Sequence, residues 1–316
     1  MKYIWFFLSL LILLGCERER EERTIHIAVS LAGSDAISSV KHIQGITDAA
    51  ENENIELSWR TARWDYELQY RHIDTLLADD PDIIVIEIAN PHKSNKIFER
   101  IEQQRIPVIG FNRLATAFQY DLVVNPDYQT IGVELAEAII DTYDSQDTNV
   151  LFLHDLLFGD HGKSIVESFL STIENHSNFK IKTVEASHQN EGPDIGIELP
   201  DITEQLQKAD AAIATNPHLT RSLAQEIKMM DEAGIEHKSP LIAGIGGDET
   251  SIMIDYDNLL LIDRQPYTAG IYLIDAASDY IRGEFRHLEG PVLRIGDYII
   301  PVVYTQHRII RSETNN

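Results

Sequence analysis

From Thr24 onward, short β-branched runs alternate with longer runs whose apolar residues recur at helical spacing. Thr24–Ser30 (TIHIAVS) reads as a strand, and a helix is expected from about Asp35 to Glu53. Ile55–Ala62 (IELSWRTA) gives a second strand, followed by a helical period through Leu68, Ile73, Leu76 and Leu77. Asp82–Ile88 (DIIVIEI) is apolar almost throughout, the mark of a strand covered on both faces. A helix is expected after Asn90-Pro91, because Pro is tolerated in a first helical turn. Pro107–Phe111 supplies a fourth strand. The rhythm breaks at Asp121–Thr130 (DLVVNPDYQT) and then restarts. Further strands are expected at Asn149–His154, Phe179–Glu185, Ala211–Thr215, Leu241–Gly244 and Leu259–Ile262. Helices are expected at Asp160–Asn175, Pro217–Ala233 and Pro266–Arg282, and Ser187–Pro200 reads as a loop. Strand and helix alternating at this spacing argue for right-handed crossovers and parallel sheets, hence an α/β chain with two such units in sequence.

The first residues follow a different pattern. Ile4–Leu14 is apolar except for Ser9, about as long as a signal-peptide core and short for a bilayer span. It ends in Leu13-Leu14-Gly15-Cys16, which resembles the lipobox of bacterial lipoproteins. The resemblance implies that residues 1–16 are a lipoprotein signal peptide with Cys16 as the lipidated residue. The alternative is an ordinary short signal with an incidental cysteine. Cys16 is the only cysteine, so no intrachain disulfide is available. Residues 17–23 are mostly charged and read as a solvated tether between anchor and folded domain. The remainder has the length of two ordinary domains.

Charge narrows the partners. With 51 acidic against 26 basic residues the formal net charge is −25, and no basic stripe appears, which excludes nucleic acid as a natural partner. Acidity also disfavours adhesion to anionic lipid, which leaves the lipid anchor as the route to a membrane. Beyond Cys16 no second transmembrane segment is expected. For catalysis there is no G-x-S-x-G elbow, no P-loop and no usable cysteine nucleophile, so the chain is read as not an enzyme and no cofactor is implied. His154, Asp155, Asp160 and His161 lie close in sequence but without tight metal-ligand spacing, so no metal is expected.

One segment poses a chemical question. Ile106–Ala115 (IPVIGFNRLA) begins as a core strand and ends in Asn112 and Arg113. A permanent cation with five donors is costly to bury without acceptors. Either Arg113 turns outward into water, or it meets oxygens that a ligand brings.

Taken in order, several segments resemble the periplasmic sugar-binding proteins of ABC transporters, the ribose/galactose-type group that shares its fold with LacI-type repressors. IHIAVS is similar to their first strand, and IPVIGFNR to the strand end that presents a sugar-binding pair. VVNPDYQTIGVELAEAI is similar to their crossing segment, AAIATNPHLTRSLAQEI to a strand–helix join, and IDRQPYTAGIYLIDAASDYIRGE to the last hinge segment. A repressor would carry an N-terminal DNA-binding unit where this chain carries the lipoprotein-like signal. The resemblance implies a type I periplasmic binding protein fold: two doubly wound parallel-sheet lobes joined by a three-crossing hinge, with ligand between them. Carried over, residues 24–125 plus 265–290 form an N-terminal lobe, and residues 126–264 plus 291–316 a C-terminal lobe. The implied function is capture of a small polyhydroxylated solute outside the cytoplasmic membrane and delivery to an ABC permease. The alternative is a sensory protein whose closed form is read by a membrane receptor such as a histidine kinase.

The same resemblance nominates site residues. Arg113 matches the family's sugar-binding arginine, and Asn112 stands where sugar binders often have Asp. Asn216 fits the asparagine at the strand–helix join, although Asn-Pro before a helix is also an N-cap. Gln265 fits the glutamine of the last hinge strand, and Asp248 is either ligand contact or helix cap. Glu87 and Asn90 both lie near a contact position, with the register between them open. The first loop lacks the family's stacking aromatics and leaves Ser34 and Asp35 as polar candidates. The second-lobe arginine is replaced by Ile165, near Lys163 and His161. Trp59 and Trp64 are stacking candidates, with a place in the core the simpler expectation for both.

Overall fold

The computed structural model describes residues 23–33, 37–116, 118–155, 160–188, 197–247, 256–285 and 290–312. The chain first lays down β1 (His26–Leu31), α1 (Ile37–Asn52), β2 (Glu56–Thr61), α2 (Tyr66–Ala78), β3 (Ile83–Ile86), α3 (Asn95–Glu102), β4 (Val108–Phe111) and β5 (Leu122–Pro126). A second series follows with α4 (Tyr128–Tyr143), β6 (Thr148–His154), α5 (Asp160–Ile173), β7 (Phe179–Glu185), β8 (Ser187–His188) and β9 (Ile197–Glu198). It continues through α6 (Thr203–Lys208), β10 (Ala211–Ala214), α7 (Pro217–Glu232), β11 (Leu241–Ile245) and β12 (Leu259–Asp263). The chain closes with α8 (Pro266–Arg282), β13 (Val292–Ile295), β14 (Tyr298–Thr305) and β15 (Arg308–Arg311).

Among the described residues the first sheet runs β2-β1-β3-β4-β5-β14-β13, and the second runs β7-β6-β10-β11-β12-β15. Neighbours pair in parallel except β13 with β14 and β12 with β15. Both sheets therefore have one doubly wound order, with the chain reversing direction between β1 and β3 and between β6 and β10. The crevice outside the carboxyl ends at such a reversal is where α/β folds bind ligands.

Strand chemistry explains the burial. Ile83 and Val85 of β3 pack with α1 and α8 on one face, while Ile84 and Ile86 pack with α2 and α3 on the other. The second sheet repeats the scheme, with Phe152 and Ile213 toward α4 and α5 and Leu151 and Ala212 toward α6 and α7. Side chains alternate along a strand, so only an unbroken apolar run satisfies two covered faces.

Helix α8 follows β12 of the second sheet yet belongs to the first core, through Ala269, Leu273 and Ile274. Its approach to α1 is close enough that a Cβ at Gly45 would lie 2.0 Å from Tyr267 O, and one at Gly270 would lie 2.5 Å from His42 O. Glycine at both positions lets the two helix backbones touch. Among the described residues the chain passes between the sheets after β5, after β12 and after β14. The passage after β14 is held by His307 Nε2 to Glu134 Oε2 of α4 at 2.7 Å, and by Arg308 Nε to Asp263 Oδ2 at the end of β12 at 3.0 Å.

Several expectations change. The break at Asp121–Thr130 contains a buried strand, β5, which Asn125 and Pro126 end. The helix expected at Pro91 begins at Asn95, because Asn90 Oδ1 accepts from His92 N and Lys93 N and holds a turn there. Within the expected loop Ser187–Pro200, β8 and β9 pair antiparallel. Residues 291–316 were expected in the second lobe, but β14 pairs with β5, which puts residues 292–305 in the first sheet. Only β15 joins the second sheet, beside β12.

Candidate functional site

The carboxyl ends of the two sheets face each other across a cavity of about 350 Å³. On the first-lobe side its wall is built from the turn after β3. Gln69 of α2 is fully buried, donates through Nε2 to Glu87 O at 2.7 Å and to Ser30 Oγ at 3.1 Å, and accepts from Ala89 N at 2.9 Å. These bonds pin residues 87–89 and set the direction of Glu87. The Glu87 carboxylate, 8% exposed, accepts from Ala32 N at 3.1 Å and from Asn112 Nδ2 at 3.0 Å. Burial raises its pKa, against the pull of Arg113 and of these donors.

Asn112 has φ 55°, a left-handed conformation that Asn tolerates better than most residues. The kink turns the chain end so that Arg113 enters the cavity wall. Arg113 is 4% exposed, donates through Nη1 to Ala89 O at 3.0 Å, and places its guanidinium carbon 4.7 Å from the Trp64 ring centre. Burial lowers its pKa to about 10, while Glu87, Asp155 and Tyr128 act to raise it, so it stays a cation at neutral pH. Trp64 reaches this position from another left-handed backbone, φ 62°, and a Cβ at Gly33 would lie 2.6 Å from its ring. His42, from α1, meets Phe111 edge-on with centroids 5.1 Å apart. Burial and the nearby Arg264 push its pKa down to about 3, so it is a neutral imidazole.

The second-lobe wall comes from β6, α5, β10, β11 and the start of α7. Asn216 both caps α7, its Oδ1 accepting from Leu219 N at 2.9 Å, and lines the cavity, with Nδ2 3.4 Å from Asp155 Oδ2. His161 stacks on Tyr128 with centroids 4.1 Å apart and planes at 15°, and lies 3.5 Å from Asn125 Nδ2. Burial, then Arg264 and Arg113, depress the His161 pKa to about 3. Burial raises that of Tyr128. At the passage after β12, Asp263 accepts from Gln265 N at 2.9 Å and from Arg308 Nε at 3.0 Å, and Arg264 Nη1 donates to Tyr128 Oη at 3.3 Å.

Of the residues expected at the site, Glu87, Asn112, Arg113 and Asn216 line this one cavity. Asn90 does not, because its side chain is spent on its own turn. Gln265 does not line it either. Its backbone is left-handed, φ 48°, and it is the flanking Arg264 and Pro266 that face inward. Asp35, Asp248, Ser34 and Cys16 lie outside the described residues. Ile165 is fully buried in the second core, so that position is packing, not contact. Trp64 is partly buried against the small cluster Ala32, Ala62 and Ala89 and also lines the cavity, whereas Trp59 is 39% exposed on edge strand β2. Among the described residues no cluster of three or more His, Cys, Asp or Glu could hold a metal.

Sequence reasoning missed Gln69, His42, Tyr128, Arg221 and Arg264 as parts of this region. Arg264 carried a readable signal, since LLLIDR ends an apolar strand in a cation just as IPVIGFNR does.

The profile of the periplasmic binding protein domain matches residues 27–285, and the chain belongs to that family of solute-binding proteins. Among solved structures, a glucose-galactose binding protein from Geobacillus stearothermophilus superposes with TM-score 0.69 at 14% identity, over 93% of this chain and 99% of its own. An arabinose binding protein from the same organism gives 0.70 at 14%, over 92% and 97%. A carbohydrate transporter solute binding protein from Agrobacterium radiobacter, in complex with D-arabinose, gives 0.68 at 15%, over 93% and 96%. At such identities the likeness is one of fold: two lobes of mostly parallel sheet, as the type I expectation had it. No curated protein sequence matches the chain. Among the described residues no helix is long and apolar enough to cross a membrane.

Proposed function

We propose that the protein captures a small polyhydroxylated solute between its two lobes outside the cytoplasmic membrane and delivers it to an ABC permease. The observation that carries this reading is the cavity at the facing carboxyl ends, where Glu87, Asn112 and Arg113 meet Asn216 and Asp155. Hydroxyl groups both donate and accept. A carboxylate, an amide and a guanidinium held side by side offer both complements within one wall. The volume sits at the low end of ligand pockets, about 300–1,000 Å³, which suits a monosaccharide better than a longer chain. The sugar-binding names of the structural relatives point the same way.

Thermal melting of the purified protein against sugars, polyols and nucleosides tests the reading, because ligand that binds only the folded form raises apparent stability by mass action. At least one sugar or polyol is expected to raise the midpoint. A panel in which only nucleosides do so contradicts the reading.

Lipid attachment at Cys16 is the second part of the proposal, supported by the lipobox-like LLGC and by the lack of any other cysteine. Cys16→Ser is expected to release the protein from the membrane fraction. Attachment unchanged in that variant contradicts it.

A further inference from the structure

Among the described residues the cavity wall holds three carboxylates, Glu87, Asp155 and Asp263, and three guanidiniums, Arg113, Arg221 and Arg264, but they are not paired one to one. Each carboxylate in the wall has donors of its own. Glu87 accepts from Ala32 N and Asn112 Nδ2, Asp263 from Gln265 N and Arg308 Nε, and Asp155 lies within reach of Asn216 Nδ2. Among the described residues, two of the three guanidiniums in the wall have no carboxylate in direct hydrogen-bond contact. Arg264 makes one hydrogen bond, to the neutral Tyr128 hydroxyl at 3.3 Å. Arg221 of α7 makes one, through Nη2 to His218 Nδ1 at 2.9 Å. Among the described residues no carboxylate lies within ion-pair distance of either. Both are partly shielded from solvent, and burial lowers the pKa of Arg221.

Arg264 is also the central charge of the region. Burial first, and then its charge, lowers the pKa of His42 on the first lobe and of His161 on the second, so those rings are neutral and add no competing proton. The amino ends of α7 and α8 open toward the same space, and their dipoles favour negative charge there. A neutral sugar would use the hydroxyl-binding group at Glu87 and Arg113 and leave Arg264 and Arg221 with no carboxylate of the described residues in ion-pair contact as the cleft closes, which is costly. The chain's net charge of −25 does not oppose this, since surface charges beyond about 8–10 Å are screened at ordinary ionic strength.

We propose that the captured ligand is an acidic monosaccharide, with its anionic group on Arg264 and Arg221 and its hydroxyls on Glu87, Asn112 and Arg113. This rests on the sugar-capture reading above and names the ligand class within it. The fork of a guanidinium donates two parallel hydrogen bonds to either a carboxylate or a phosphate, so uronic acids and sugar phosphates share the chemistry.

The test is calorimetric titration of the full-length purified protein at pH 7. The probes are D-glucuronate, D-galacturonate and D-glucose 6-phosphate, with D-glucose and D-galactose as neutral parents. At least one acid is expected to bind tenfold or more tightly than its parent, and to weaken as salt rises. Arg264→Gln is expected to reduce that ratio tenfold or more, with Arg264→Lys recovering part of it and Arg221→Gln producing a smaller drop. Ligand-free melting of each variant shows whether it folds. A neutral parent that binds as tightly as its acid, or a ratio that survives in Arg264→Gln, overturns the inference and leaves sugar capture standing. Failure of all five probes and of the wider sugar and polyol panel overturns both.

Discussion

Arg113 ends a buried strand in a charge because three separate features receive it: the Ala89 carbonyl, the face of Trp64 and the field of Glu87. Of the two alternatives open from the sequence, the outward turn into water fails, since the side chain is buried. The other, a meeting with ligand oxygens, is the one proposed above, and the guanidinium already has protein support before a ligand arrives. Truncation to Ala therefore lowers folding stability as well as binding. His42 illustrates the opposite design, a titratable group kept neutral. Its native pKa of about 3 lies below the ordinary 6.5, so between these values the unfolded chain binds the extra proton. Stability then falls as pH drops below about 6.5, by about 1.4 kcal/mol per pH unit per such group. Glu87, whose pKa is raised in the fold, works the other way, so the comparison must isolate the imidazole. His42→Phe is expected to flatten the loss of stability between pH 7 and pH 5 relative to wild type. Urea unfolding at the two pH values measures it, and identical slopes contradict a buried neutral His42.

At the scale of elements, the contact between α1 and α8 ties the returning chain to the first lobe. Gly270→Ala would put a methyl 2.5 Å from His42 O and 2.9 Å from Ile46 N, both backbone atoms that cannot swing aside. A loss of about 1–3 kcal/mol is expected, read as a lower urea midpoint, and an unchanged midpoint contradicts the close packing. Elements with a local signal are legible in the sequence alone. DIIVIEI reads as a doubly covered strand because its chemistry leaves no alternative, and Pro217 and Pro266 mark the starts of α7 and α8. The misses have physical causes too. β5 is short and ends in Asn125-Pro126, which reads as a turn. β14 and β15 are placed by the distant strands β5 and β12, information that no local window holds. At the site, Asn112 and Arg113 are legible because polar groups closing an apolar strand stand out, whereas Glu87 and Asn216 are reached through the resemblance to sugar-binding proteins. Gln69 is not legible, because a buried glutamine inside a helix looks like surface until its partners at residues 87 and 89 are known.

For the whole molecule, two sheets of one topology, three short passages and a shared cavity make a device that can close. The passages offer little covalent resistance to rotation, and a ligand touching both walls favours the closed form by its differential contacts. Small-angle scattering is expected to show a smaller radius of gyration at ligand saturation, and an unchanged radius contradicts hinge closure.

Capture of a hydroxyl-bearing solute through the strand-end pair Asn112–Arg113 is tested by calorimetric titration of wild type and Arg113→Lys. The titrant is the sugar or polyol that thermal melting selects. Lysine keeps the charge but replaces the fork by a single point. One ligand per chain is expected for wild type. Arg113→Lys should remain folded yet bind at least tenfold more weakly, about 1.4 kcal/mol. Equal affinity in the two proteins would show that the ligand does not engage Arg113, and that the capture site lies elsewhere.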